Sequence, residues 1–132
     1  MNDEIDWSIP CFKVVGSQRG ISYGHRHVTE QQTRVVTVPV GYGDGYDRGL
    51  TGRGEVLIGG RRLPIVGTIC MDQFMVDLGP SGSAWNGDEV VLIGRQGEEL
   101  ITVEEIARTL GTVPWEVLTR LNTRMPRVYQ EK

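Results

Sequence analysis

The stretch EVLIGGRRLPIV, Glu55 to Val66, decides the fold. Two short runs of valine, isoleucine and leucine flank the pair Gly59-Gly60. Lacking a Cβ, both glycines can take the positive φ that the centre of a tight turn requires. The pattern predicts a β-hairpin with strands at Glu55–Ile58 and Arg61–Val66. The same punctuation continues on both sides, where eighteen glycines separate short apolar runs. Further strands are predicted at 11–15, 33–39, 74–77, 89–93 and 100–101, with a turn at Gly97-Glu98.

The polar stretch 79–88 reads as a surface loop in which Trp85 is the large apolar exception. Thr102-Val103-Glu104-Glu105 has the spacing of a capping box, followed by Ile106 and Leu110 at helical spacing and by Gly111 as a terminator. Pro114 opens a second helical turn that runs through Leu118, because proline loses no needed bond at the first helical position. The fold class expected is mainly β: a compact β-barrel-like domain with one or two short helices. A chain of 132 residues buries about two-thirds of its unfolded surface, enough for one core, so residues 1–132 are read as one domain.

Composition narrows the function. The longest apolar runs are too short to span a bilayer, so no membrane segment is expected. The opening MNDEIDW is acidic and unlike a secretory signal, which points to a cytoplasmic protein. Two cysteines, Cys11 and Cys70, and two histidines, His25 and His27, are too few for a disulfide scaffold or a familiar zinc set, so no metal is expected. Fourteen basic against seventeen acidic residues argue against a broad nucleic-acid surface. Arg120, Arg124 and Arg127 read either as an anion-binding patch or as solvent-facing arginines.

Three short segments carry the candidate chemistry. Tyr23, in GISYGHRH, stands among small or flexible neighbours, so its phenol either projects from a turn or packs its ring there. As a base near neutrality it needs a nearby cation, donors or developing charge, because its ordinary pKa is near 10. GYGDGY, Gly41 to Tyr46, forms a compact loop with aromatic walls, and Asp44 either fixes that loop through backbone bonds or is a plain turn aspartate. The glycine order does not match a dinucleotide fingerprint. In CMDQ, Cys70 to Gln73, Met71 is open to a core-filling reading, Cys70 to that of a small buried hydrophobe, and Asp72 to that of a loop carboxylate. Ser22 has no identifiable base and acid beside it, which leaves serine-hydrolase chemistry unsupported.

Taken in order, SYG at 22–24, TVPVGYGDGYDR, GRGEVLIGGRRLPIVGTICMDQFMVDL, DEVVLIGRQG and the MPR near residue 125 resemble the C-terminal domain of alanine racemase over most of the chain. The resemblance implies a pyridoxal-phosphate isomerase built as a head-to-tail homodimer. There an N-terminal barrel domain holds the cofactor through a lysine, and the C-terminal β-domain of one subunit completes the other's site. It implies Tyr23 as a catalytic base and Met71 as the residue whose backbone amide binds the carboxylate of a small amino acid. Tyr42 becomes an entrance residue near the cofactor phosphate, and Arg48 and Asp72 line the entrance.

Two departures stand out. Thr123 in NTRMPR replaces a tyrosine of some relatives, and Thr68 replaces an arginine that some carry in GRICMD. The chain's lysines, Lys13 and Lys132, lie in no cofactor-lysine motif. Residues 1–132 are therefore expected to hold the C-terminal domain with the pyridoxal-phosphate barrel absent, a half-site that interconverts L- and D-alanine only when completed. A serine racemase half-site, or a non-enzymatic dimerisation or binding module, are the other readings.

Overall fold

A computed structural model describes residues 34–79, 84 and 87–121, together with Thr33 and four earlier strands as backbone. The strands are β1 Trp7–Pro10, β2 Phe12–Gly16, β3 Gly20–Ile21, β4 His27–Val28, β5 Thr33–Val38, β6 Glu55–Ile58, β7 Arg61–Val66, β8 Phe74–Gly79, β9 Glu89–Gln96 and β10 Glu99–Ile101. Two helices follow, α1 Val103–Leu110 and α2 Pro114–Thr119.

The hairpin β6–β7 forms as its sequence dictates, with Ile58 opposite Arg61 and both turn glycines at positive φ. β5 stops at Val38, one residue before Pro39, which has no N–H to give a ladder. Eight strands make one sheet in the order β1-β9-β6-β7-β8-β5-β2, and β10 pairs with the far end of β9. β7 changes neighbours part-way: Arg61 to Pro64 face β6, whereas Ile65 and Val66 face Val76 and Met75 of β8. β3 and β4 form a separate two-stranded sheet.

The expectation of a barrel is corrected here. The hydrogen-bonded path is open: among the described residues β1 pairs with β9 and β2 with β5, and no ladder joins the two end strands. Only Cys11 separates β1 from β2. Antiparallel neighbours need a turn of about two residues between them, so these strands lead from one end of the path to the other and cannot pair with each other.

Phe74, Val76 and Leu78 of β8 point into the main core with Val36 and Val38 of β5, while Val56, Leu57 and Ile58 of β6 are all buried. Val35 and Val66 form a smaller cluster, covered by Met75. Burial of a side chain such as Phe74 contributes about 2–3 kcal/mol.

Ile106 and Ala107 of α1 and Val117 of α2 pack onto the main core. Thr102 caps α1 by accepting from the Glu105 N–H at 3.0 Å, and Gly111 ends it in a left-handed conformation. The predicted capping box is half formed, because the Glu105 carboxylate grips Arg62 of β7 instead, at 2.6 and 2.8 Å. Glu99 and Glu55 also reach the Arg62 guanidinium, at 3.1 and 3.3 Å. Hydrogen bonding to Arg62 holds the Glu105 carboxyl below the usual carboxylate range, and the same bonds hold Arg62 above the ordinary arginine value. No helix among the described residues is long and apolar enough to cross a membrane.

Candidate functional site

After β5 the chain turns at Pro39 and enters a 3-10 turn, Tyr42–Asp44, whose backbone lies directly on that of Cys70 and Met71. The Tyr42 N–H donates to the Cys70 carbonyl at 3.0 Å and the Gly43 N–H to the Met71 carbonyl at 2.9 Å. Gly41 makes this approach possible. A Cβ there would sit 2.0 Å from the Cys70 carbonyl oxygen and 2.4 Å from that of Met71. Asp44 fixes the turn from beneath: its buried carboxylate accepts from the Gly41 N–H at 3.0 Å. Of its two sequence readings, the loop-fixing one describes the structure.

Gly45 has φ +101° and leads into Tyr46, whose ring stacks on Phe74 at a centroid distance of 5.0 Å. Tyr46 is 3% exposed and packs as a core anchor, and burial pushes its phenol well above the ordinary tyrosine value. A second 3-10 turn, Arg48–Leu50, is capped by Asp47, which accepts from the Gly49 N–H at 2.7 Å. This turn is tied to the CMDQ segment by the Ile69 N–H, which donates to the Thr51 hydroxyl at 3.1 Å.

Tyr42, Arg48, Met71 and Asp72 therefore lie on turns stitched to one another, and all four are exposed. Met71 is 45% exposed, which removes the core-filling reading, whereas Cys70 is buried and its thiol donates to the Thr68 carbonyl. The Met71 N–H has no acceptor among the described residues, and Arg48 has no ion-pair partner there. Thr68, 2% exposed, is part of the interior and not of the surface of this domain. Arg120 pairs with Asp47 and Glu116 rather than standing open to an anion. Two concavities near the helices, lined by Tyr46, Leu50 and Ile106 among others, include neither Tyr42 nor Met71.

Tyr23, Cys11, His25, Trp85, Thr123, Arg124 and Arg127 lie outside the described residues, and His27 is described as backbone alone. Among the described residues no group of three or more His, Cys, Asp or Glu side chains could hold a metal ion. Lys13 is described as backbone alone, opposite Val36 of β5.

The family model described as alanine racemase, C-terminal domain, matches residues 4–129. The chain belongs to this family. It is 48% identical to the alanine racemase of Cutibacterium acnes over 117 residues, covering 89% of this chain and 31% of that protein. The crystal structure of alanine racemase from E. faecalis superposes with a TM-score of 0.89 at 36% identity, over 95% of this chain and 33% of that one. Alanine racemase from Bartonella henselae, solved with covalently bound pyridoxal phosphate, gives a TM-score of 0.86 at 30% identity, over 95% and 34% of the two chains. The chain thus spans about a third of the length of the alanine racemases it matches.

Sequence reasoning missed the residues that hold the rim in place. Gly41 was one glycine among many, and the only signal of its role is its position between a proline-ended strand and an aromatic turn. The salt bridge between Asp47 and Arg120 joins residues far apart in sequence and left no local signal.

Proposed function

We propose that this domain contributes one half of an alanine racemase active site and that a barrel domain, one per subunit of a homodimer, contributes the other. The stitching of Tyr42 and Gly43 to the Cys70-Met71 backbone is the observation that carries this reading. It draws the two motif turns into one rim and leaves the Met71 N–H facing outward with no protein acceptor among the described residues. An outward amide of this kind is suited to the carboxylate of a small amino acid, since charge-assisted bonds to carboxylate are stronger than neutral ones.

The rim also suits a site completed from outside. The rim turns, residues 41–53 and 68–73, carry no lysine, so they supply walls and a donor but no amine to hold pyridoxal phosphate. That cofactor, when bound, acts as the electron sink that makes the α-proton of alanine removable. Tyr42 is the residue of this domain that would approach its phosphate. Tyr23 takes or returns the α-proton on one face of the substrate, and the barrel lysine serves the other face. Opposed groups permit inversion, because removal and return occur on opposite sides. Arg48 and Asp72 flank the entrance, where the exposed guanidinium attracts the incoming carboxylate.

The test is racemisation of alanine by this chain assembled with a barrel domain and pyridoxal phosphate. Tyr23→Phe keeps most of the ring volume and removes the acid-base group, so it is expected to lower kcat by about 10²-fold or more. An assembled Tyr23→Phe form as fast as the unaltered one would remove Tyr23 from the chemistry. Serine turning over as well as alanine would assign the rim to the longer substrate.

A further inference from the structure

The rim turns rest on the Cys70-Met71 backbone on one side and on the ends of both helices on the other. At α2, Arg120 meets the rim twice. A Cβ on Gly45 would lie 2.2 Å from the Arg120 carbonyl oxygen, so the GDGY backbone packs on the last turn of the helix. The Arg120 guanidinium also pairs with the Asp47 carboxylate, with Glu116 holding its other nitrogen at 2.6 Å. Asp47 in turn caps the Arg48–Leu50 turn through the Gly49 N–H. At α1, Arg53 bridges the same turn to the helix end, donating to the Gly49 carbonyl at 2.7 and 3.1 Å and to the Thr109 carbonyl at 2.9 Å. Leu110 closes against Gly49, where a Cβ would lie 2.8 Å from its methyl group.

These ties converge on the short segment that carries Arg48. The Arg120–Asp47 pair is exposed on the Arg120 side, and pairs of that kind add little to global stability. What they constrain is direction. A turn held at its cap, at its carbonyl and along its backbone has few ways to reorient.

We propose that Arg120 is a positioning residue: together with Asp47 and Arg53 it braces the rim turns from the helical side, and so sets how tightly the assembled site holds its amino-acid substrate through Tyr42 and Arg48. The substrate part rests on the racemase half-site reading above; the brace itself does not.

Two measurements separate the brace from that reading. Amide hydrogen exchange on the 132-residue chain compares the unaltered protein with Arg120→Met, Arg120→Lys and Asp47→Asn. Exchange at the Gly43 and Gly49 amides is expected to quicken about tenfold in Arg120→Met, with the β8 and β9 amides unchanged and part of the protection restored in Arg120→Lys. Unchanged exchange, or equal acceleration throughout the sheet, overturns the brace.

In the assembly with a pyridoxal-phosphate barrel, Arg120→Met is expected to raise KM for alanine about fivefold while kcat stays within about twofold. Asp47→Asn, which keeps an acceptor for the Gly49 N–H, should move KM the same way. A KM that does not move, with exchange altered as expected, overturns the effect on substrate. An unaltered assembly that fails to racemise alanine defeats the half-site reading and the substrate part with it, and the exchange result then decides the brace alone.

Discussion

The Tyr42 N–H donates to the Cys70 carbonyl at 3.0 Å, which locks the direction of the peptide unit that Cys70 shares with Met71. Carbonyl and N–H point opposite ways in a trans peptide, so with the Cys70 carbonyl anchored on the Tyr42 turn the Met71 N–H is directed away from it. A loop without that bond would need to be ordered each time a carboxylate arrived, and the ordering cost would come out of the affinity.

Gly41→Ala tests how closely the two turns must approach. Its Cβ would fall 2.0 Å from one backbone oxygen and 2.4 Å from another, neither of which can swing aside like a side chain. The substitution is expected to destabilise the domain by about 3 kcal/mol, the upper range for overpacking. Urea unfolding of the 132-residue chain measures this, and a loss below about 1 kcal/mol would mean the turns separate easily.

Met71→Ala asks which part of Met71 matters. The side chain is 45% exposed, so its removal should cost under about 0.5 kcal/mol of stability. If the amide is the group that binds carboxylate, KM for alanine in the assembled enzyme stays within about threefold, because the backbone donor survives the substitution. A large rise in KM would place the contact on the thioether chain instead.

Glu105→Gln concerns the joint between α1 and β7. In the folded protein the Arg62 guanidinium holds the Glu105 carboxyl below its ordinary value, so folding favours the ionised form. That contribution is complete at pH above the unfolded glutamate value of about 4.3 and is lost as pH falls through the lower folded value. Being partly solvated, the pair contributes modestly, on the order of 1 kcal/mol. The urea midpoints of the unaltered chain and Glu105→Gln should differ at pH 7 and converge toward pH 3. A gap that stays constant across that range would show that Glu105 acts through packing alone.

Local chemistry made part of this fold legible. Gly59-Gly60 specifies a hairpin by what its backbone can do, and Thr102 and Gly111 bound α1 by satisfying its end groups; each signal is complete within a few residues. The order of the sheet was not legible, because an apolar run does not state its neighbour. β7 shows the difficulty, since a single run serves β6 with its first half and β8 with its second. The barrel expectation failed for the same reason: alternation makes strands but does not say whether the first and last of them meet.

At the site, the residue types in GYGDGY and CMDQ were visible, and the resemblance paired them. Their contact through Gly41 required coordinates. Met71 was open to a core-filling reading, because methionine usually packs inside; the structure leaves it exposed, on a segment whose carbonyls bond to the facing turn. Glu105 had the spacing of a capping residue, yet a guanidinium outcompeted the backbone N–H for its carboxylate.

The single residue between β1 and β2 also orders events in time. Phe12 finds its place opposite Thr37, but Trp7 must wait for Ile93, which a ribosome delivers much later. Non-local pairings of this kind slow folding. Without β1, the flank of β9 that it covers would be an open edge with ladder groups to offer another strand. Segment Trp7–Pro10 takes that flank and becomes the end of the path itself, where Pro10 has no N–H to offer another strand.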